Sequence, residues 1–130
     1  RYEGILSYEI ILWAQFLYGG FDIAAILGAM LACVKFKKPF VIDGFITAVA
    51  AACAVHMNDR VVDYALPSHH SREKGTELAL SEVGITQDMV PIQAHMSMGE
   101  GTGAILMLQM LKTTQYMFVN VGTFADLMKL

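Results

Sequence analysis

The sequence predicts a layered α/β protein in which a short parallel sheet is flanked by Ala-rich helices. Short continuous apolar runs, typical of strands buried on both faces, alternate with longer apolar stretches of helical composition. A glycine turn or a proline stands at the end of each short run. This alternation favours parallel strands, because two parallel strands need a crossover of helix length between them. With 130 residues, the chain is predicted to form a single domain, residues 1–130.

The N-terminal part is predicted to hold two helices separated by a glycine pair. Residues 1–17 place apolar side chains at an approximately helical period, and Gly19 and Gly20 end that helix. Asp22 stands where an N-cap acceptor belongs. It opens a second helix over residues 23–34, whose nearly all-apolar composition predicts burial on most sides.

The rest of the chain is predicted to alternate strands and helices. The predicted strands are residues 40–42, 60–66 and 91–98. The predicted helices are residues 45–57, 72–83 and 104–119. Pro67 stops the second strand, and residues 68–71 form a polar loop. Because ligands of open α/β sheets bind at the carboxyl ends of strands, the turns after the strands are the expected ligand site.

Composition excludes several classes of protein. A hydrophobic fraction of 55% with 16% charged residues excludes a disordered chain. The net charge of -3 gives no basic surface for a phosphate backbone, so we expect no nucleic-acid partner. Cys33 and Cys53 lie in Ala-rich runs without a CxxC pattern or a Cys/His ladder. We therefore expect no disulfide scaffold, metal ion or cofactor, and a cytoplasmic location.

The high apolar content raises the alternative of a membrane protein. Residues 10–34 carry Asp22 as their only charge and are long enough to span a bilayer. Gly19, Gly20 and Asp22 fall within this run, where a spanning helix would place a carboxylate and a glycine pair at bilayer depth. We therefore expect no membrane insertion. The chain begins with Arg1 instead of Met, which suggests a segment of a longer protein.

The sequence GEGTGA, residues 99–104, stands between a predicted strand and a predicted helix. Its glycines let the backbone approach a ligand and aim amide donors at an anion. It is not a P-loop, because no Lys-Ser/Thr pair follows. Gly99, Gly101 and Ala104 match the loose GxGxxA dinucleotide fingerprint, but Glu100 would repel a pyrophosphate. A carboxylate held between glycines suits a general base. The alternative is an exposed first-turn acid that the helix dipole stabilises.

Two other turns have the same ambiguity between a structural and a ligand-binding role. Ser71 either caps its own helix or shares the helix amides with a phosphate. Asp43 and Gly44 form either a plain turn or a ligand contact at the end of a strand. Methionines usually fill gaps in cores, but those near Glu100, Met98 among them, are also suited to line a slot for a flat heterocycle.

Four segments, in this order, resemble the nicotinate-nucleotide–dimethylbenzimidazole phosphoribosyltransferase family. They are GGFDIAA (residues 19–25), VIDGFI (41–46), SHHSREKG (68–75) and MGEGTGA (98–104). The resemblance covers most of the chain. It implies a three-layer α/β/α fold with a parallel sheet, a homodimer, and a chain that is the C-terminal part of a longer enzyme.

The resemblance also implies a reaction in cobalamin biosynthesis. Nicotinate mononucleotide and 5,6-dimethylbenzimidazole, the implied small-molecule partners, give α-ribazole 5'-phosphate and nicotinate. Nicotinate leaves from a cationic pyridinium and needs no acid, whereas the benzimidazole must lose its N–H proton to a base. The family places that base at the Glu of its glycine-rich motif, which is Glu100 here. The alternative function is a non-catalytic nucleotide- or phosphate-binding α/β module.

The same motifs imply which residues bind substrate. Strand-end loops of the family hold the nucleotide, and an apolar residue lies beside the base pocket. Carried over by motif, the substrate-binding residues are Gly19, Gly20, Asp43, Gly44, Ser71, Met98, Gly99, Gly101 and Gly103.

Overall fold

A computed structural model describes residues 20–73, 75–96, 100–122 and 124–128. The helices are α1 (Gly20–Lys35), α2 (Phe45–Met57), α3 (Thr76–Glu82), α4 (Thr102–Asn120) and α5 (Phe124–Leu127). The strands are β1 (Phe40–Ile42), β2 (Ala65–Pro67), β3 (His69–Ser71) and β4 (Ile92–Met96). Two short 3-10 helices, Asp59–Asp63 and Gln87–Met89, complete the described elements.

The strands pair in parallel, which confirms the predicted α/β class. β1 pairs with β2, with Phe40 opposite Ala65, and β3 pairs with β4, with His69 opposite Ile92. Ser68 separates β2 from β3, so one extended stretch of chain contacts β1 with its first half and β4 with its second. All four strands therefore end towards the same edge, where the turns that follow them meet.

The core lies around α2, which packs against α1 on one side and α3 on the other. Its side chains Ala48, Ala50, Ala51 and Ala54 are fully buried. Small side chains on several faces let neighbouring helices approach closely. The predicted bounds of this helix and its burial are confirmed.

Two predictions in the first half of the chain are wrong. Asp22 is in the first turn of α1 and not at its N-cap, because the helix already begins at Gly20. The predicted strand over residues 60–66 is a 3-10 helix followed by the short β2. The cause is Asn58, whose side-chain oxygen accepts a hydrogen bond from the Arg60 amide at 3.1 Å and starts a helical turn. β2 ends at Pro67, one residue later than the predicted end at residue 66.

The region after β2 also differs from its prediction. Residues 69–71 form a strand and not a loop, because they pair with β4. The next helix begins at Thr76 instead of residue 72, since Gly75 has a left-handed backbone with φ +97 that helical residues do not adopt. Ser71 is therefore not the N-cap of that helix. The predicted helix over residues 1–17 lies outside the described residues.

Candidate functional site

The carboxyl ends of the strands enclose an open cleft of about 310 Å³. The volume is at the lower end of the range for ligand pockets. Five residues predicted from the sequence line it together: Asp43, Gly44, Ser71, Glu100 and Gly101. Asp43 and Gly44 follow β1, Ser71 ends β3, and Glu100 precedes α4. The expectation that the strand-end turns converge is therefore confirmed, while their role towards a substrate stays a prediction.

Asp43 ties the turn after β1 to the first turn of α4. Its Oδ1 accepts a hydrogen bond from the Ala104 amide at 2.8 Å, and its Oδ2 accepts one from the Gly101 amide at 3.0 Å. The residue is buried, with 9% of its surface exposed. A carboxylate at this position satisfies amides that lack a partner within the helix and suits the positive end of the helix dipole.

Glu100 is exposed at the cleft and has an unusual backbone. Its φ is +62, and that of the following Gly101 is +82, so two successive residues are left-handed. For a residue with a Cβ this conformation is sparsely populated and costs of order 1 kcal/mol. Such strain persists only where the surroundings enforce it, and it is concentrated at functional sites. The Asp43 hydrogen bond to the Gly101 amide is one such restraint.

Gly103 is set against the imidazole of His69. A Cβ added to Gly103 would lie 1.9 Å from His69 Nδ1 and 2.6 Å from Cε1, which no side chain allows. The ring is buried, with 4% exposure, and its Cε1 lies on the side of Gly44. Among the described contacts, the absence of a side chain at Gly103 thus makes room for the His69 imidazole of the same chain.

Ser68 fixes the orientation of that imidazole. Its hydroxyl donates to the Ile42 carbonyl at 2.7 Å, and its Oγ lies 3.0 Å from His69 Nδ1. The one hydroxyl proton is shared between the carbonyls of Ile42 and Asp43, at 2.7 and 3.0 Å. Ser68 Oγ is therefore the acceptor towards the imidazole, and we assign the Nδ1–H tautomer to His69. Nε2 of His69 is left as an acceptor.

Ser71 and Glu73 line another side of the cleft, after β3. Ser71 is buried, and its Oγ accepts a hydrogen bond from the Glu73 amide at 3.2 Å. The hydroxyl proton remains available for donation to an anion in the cleft. Ser71 therefore supports the turn after β3 and does not cap the following helix, so the capping alternative is wrong. Its hydroxyl keeps the donor that the phosphate-binding alternative needs.

The remaining predicted residues are not among the described residues that line the cleft. Gly19, Met98 and Gly99 lie outside the described residues. Gly20 begins α1 and is not among the described residues that line the cleft. Sequence reasoning missed Ser68 and His69 as site residues, although both belong to the SHHSREKG segment. The available signal was a Ser-His pair directly at the end of an apolar strand.

Two kinds of feature are absent from the described residues. No group of three or more His, Cys, Asp or Glu side chains among them is arranged to hold a metal ion. No helix in the described ranges combines the length and the apolar character needed to cross a membrane.

Comparisons with known proteins point to one family. A family model described as phosphoribosyltransferase matches residues 14–127. The chain is similar to nicotinate-nucleotide–dimethylbenzimidazole phosphoribosyltransferase of Clostridium acetobutylicum, with 40% identity over 109 residues, and to that of Acetivibrio thermocellus, with 37% over 108. The protein of that name from Escherichia coli is 36% identical over 107 residues.

These matches cover most of this chain and a minor part of each relative. They include 83% of this chain and 30% of the Clostridium acetobutylicum and Acetivibrio thermocellus proteins, and 82% and 29% for that of Escherichia coli. The chain thus spans about 30% of the length of the curated relatives it matches.

Proposed function

The chain belongs to the nicotinate-nucleotide–dimethylbenzimidazole phosphoribosyltransferase family, and on that premise we propose that it forms part of the active site of such an enzyme. As part of this proposal, residues 1–130 are one C-terminal segment of the longer enzyme. The observation that carries it is Glu100, an exposed carboxylate in a strained backbone at the cleft. We refer below to the longer protein as the full-length enzyme.

The proposed reaction moves 5-phosphoribose from nicotinate mononucleotide to 5,6-dimethylbenzimidazole. One ring nitrogen of the benzimidazole forms a bond to the anomeric carbon of the ribose, while the bond from that carbon to the nicotinate nitrogen breaks. The electron pair of the broken bond neutralises the pyridinium ring, so nicotinate leaves without an acid. The proton on the other benzimidazole nitrogen passes to Glu100, which acts as the general base.

The phosphate is proposed to bind on the Ser71 side of the cleft. The Gly101 and Ala104 amides at the start of α4 both donate to the Asp43 carboxylate, so they are not free for an anion. A phosphate beside Asp43 and Glu100 would also be repelled by two carboxylates, whereas the Ser71 side carries one, that of Glu73. Ser71, which is buried but borders the cleft, offers a hydroxyl donor away from α4. Gly44 lets the substrate approach the backbone between the two sides.

We further propose an oligomeric state, a location and the partners of the enzyme. We propose a homodimer, which is supported by the large apolar side chains exposed along α4. We propose a cytoplasmic enzyme, because Cys33 and Cys53, the two cysteines of the sequence, form no disulfide. Its partners are small molecules, and neither nucleic acid nor a membrane is expected among them.

The experiment that tests the binding mode is a crystal structure of the full-length enzyme with nicotinate mononucleotide and the benzimidazole. We expect the phosphate within hydrogen-bond distance of Ser71 Oγ and a ring nitrogen of the benzimidazole within about 3.2 Å of the Glu100 carboxylate. Binding of the nucleotide only over the exposed Lys35, Lys37 and Lys38 would contradict the proposal. Binding in the cleft in the reverse orientation, with the phosphate at Glu100, would contradict the assigned roles.

A further inference from the structure

We propose that Asp43 is a positioning residue that holds Glu100 in place and does not bind the substrate. This inference rests on the proposed function, because it assigns Asp43 a task towards the proposed base. It differs from the carry-over by motif, which counts Asp43 among the residues that contact the nucleotide.

The hydrogen bonds of the Asp43 carboxylate carry the proposal. Both carboxylate oxygens bind backbone amides of the loop that bears Glu100, at 3.0 Å to Gly101 and 2.8 Å to Ala104. The Gly101 amide belongs to the peptide bond that joins Glu100 to Gly101. Fixing this amide restricts the backbone of Glu100 directly, since rotation about its ψ angle would break the hydrogen bond.

Asp43 is itself held from two other elements. Its amide donates to Thr47 Oγ1 at 2.9 Å, which anchors it to the first turn of α2. Its carbonyl accepts a hydrogen bond from the buried Ser68 hydroxyl at 3.0 Å, which anchors it to the link between β2 and β3. The carboxylate is therefore a rigid bridge from the sheet and α2 to α4.

The negative charge of Asp43 also keeps the substrate phosphate away from the Gly101 and Ala104 amides. A helix N-terminus with amides directed into a cleft attracts anions. If Asp43 left these amides open, the substrate phosphate would compete for them and displace the benzimidazole from the base. The Asp43 carboxylate occupies both amides and repels a phosphate that approaches them, so the phosphate does not bind beside the base.

The first test separates positioning from substrate binding by steady-state kinetics of the full-length enzyme. We expect Asp43→Asn and Asp43→Ala each to lower kcat by about 10²-fold, because a misplaced base loses that much rate. The asparagine places an amide group against a backbone N–H, and the alanine removes the acceptor. The KM for nicotinate mononucleotide should change less than about threefold. A large rise in this KM with an unchanged kcat would overturn the proposal.

Formate supplies a second readout that a purely structural role would not give. In Asp43→Ala the missing carboxylate leaves a space beside the Gly101 and Ala104 amides, and added formate should restore part of kcat. Formate should not raise the activity of Glu100→Gln, whose lost group lies elsewhere. Failure of formate to rescue Asp43→Ala, with the variant folded by circular dichroism, would count against the proposal.

Amide hydrogen exchange tests the loop without any turnover. In the full-length enzyme, Asp43→Asn should speed exchange of the Gly101 and Ala104 amides. Asn58→Ala serves as a matched control, because it removes a side-chain cap from the Arg60 amide outside the cleft. It should leave both α4 amides and kcat unchanged. Equal protection in wild type and Asp43→Asn would overturn the positioning role, whatever the activity.

The two proposals fail in different ways. If the full-length enzyme transfers no phosphoribose while Asp43→Asn still exposes the α4 amides, the proposed function is wrong and the hold of Asp43 on the Glu100 loop stands. If transfer occurs and Asp43→Asn leaves both kcat and the amides unchanged, the function stands and the positioning role is wrong.

Discussion

At the residue scale, the position of the His69 imidazole excludes any side chain at Gly103. The imidazole lies where any side chain at position 103 would have to be, and Ser68 fixes its ring. His69 is thus packed between loops that contribute to the cleft, and it keeps α4 at a fixed distance from β3. A glycine at position 103 is required by this contact and not by the helix, which disfavours glycine in its interior.

This packing predicts a compensating pair of substitutions. Gly103→Ala should lower the free energy of unfolding by about 1–3 kcal/mol, because the methyl group overlaps the ring. In a His69→Ala background the same change should cost much less, since the space is then open. Urea unfolding of the four variants in a double-mutant cycle measures the difference. Equal costs in both backgrounds would show that the ring is not what excludes a side chain.

Some residues of the site could be predicted from the sequence because their signal is local. Glu100 between glycines and Asp43 after an apolar strand are visible in short stretches of sequence. The hydrogen bonds from Asp43 to the Gly101 and Ala104 amides join positions about sixty residues apart and depend on the paired strands. The fit of His69 against Gly103 depends on tertiary packing in the same way, which no local pattern reports.

At the scale of elements, the agreement depends on how each segment is stabilised. β1 and α2 match their predicted bounds, because both are apolar runs delimited by Pro39, the Asp43-Gly44 turn and Asn58. The segment over residues 60–66 was predicted as a strand from its apolar residues. There the Asn58 cap and the Arg60–Asp63 ion pair, 3.8 Å apart, favour a helical turn over strand pairing.

α4 is the element with the most exposed apolar surface among those described. Its N-terminal turn contacts the strands, while Ile105, Tyr116, Met117 and Phe118 are exposed, the last with 90% of its surface. Apolar surface of this extent on one helix is typical of a face that another protein surface covers.

We therefore predict that the chain self-associates through α4. Sedimentation equilibrium should show a mass that rises with concentration, and Phe118→Glu should weaken the association by placing a charge in the covered face. Lys112→Glu, a change of charge on the same helix without loss of apolar surface, serves as the control. A monomer at all concentrations, in wild type as in Phe118→Glu, would contradict the prediction.

At the scale of the whole molecule, the two parallel strand pairs, β1 with β2 and β3 with β4, determine the site. Their strands end towards one side, which brings Asp43, Ser71 and Glu100 to a single cleft although they are far apart in sequence. The sequence pattern predicted the α/β class and this convergence. The chain spans about 30% of the length of its relatives, so the proposed catalysis belongs to the full-length enzyme.

The claim that Glu100 is the general base is tested most directly by steady-state kinetics of Glu100→Gln in the full-length enzyme. The amide keeps the size of the side chain and removes its ability to accept a proton. We expect kcat to fall by about 10²–10⁴-fold with little change in the affinity for nicotinate mononucleotide. Glu82→Gln, an exposed glutamate of α3 paired with His56, should keep full activity. Near-normal turnover of Glu100→Gln at saturating substrate would show that Glu100 is not the base.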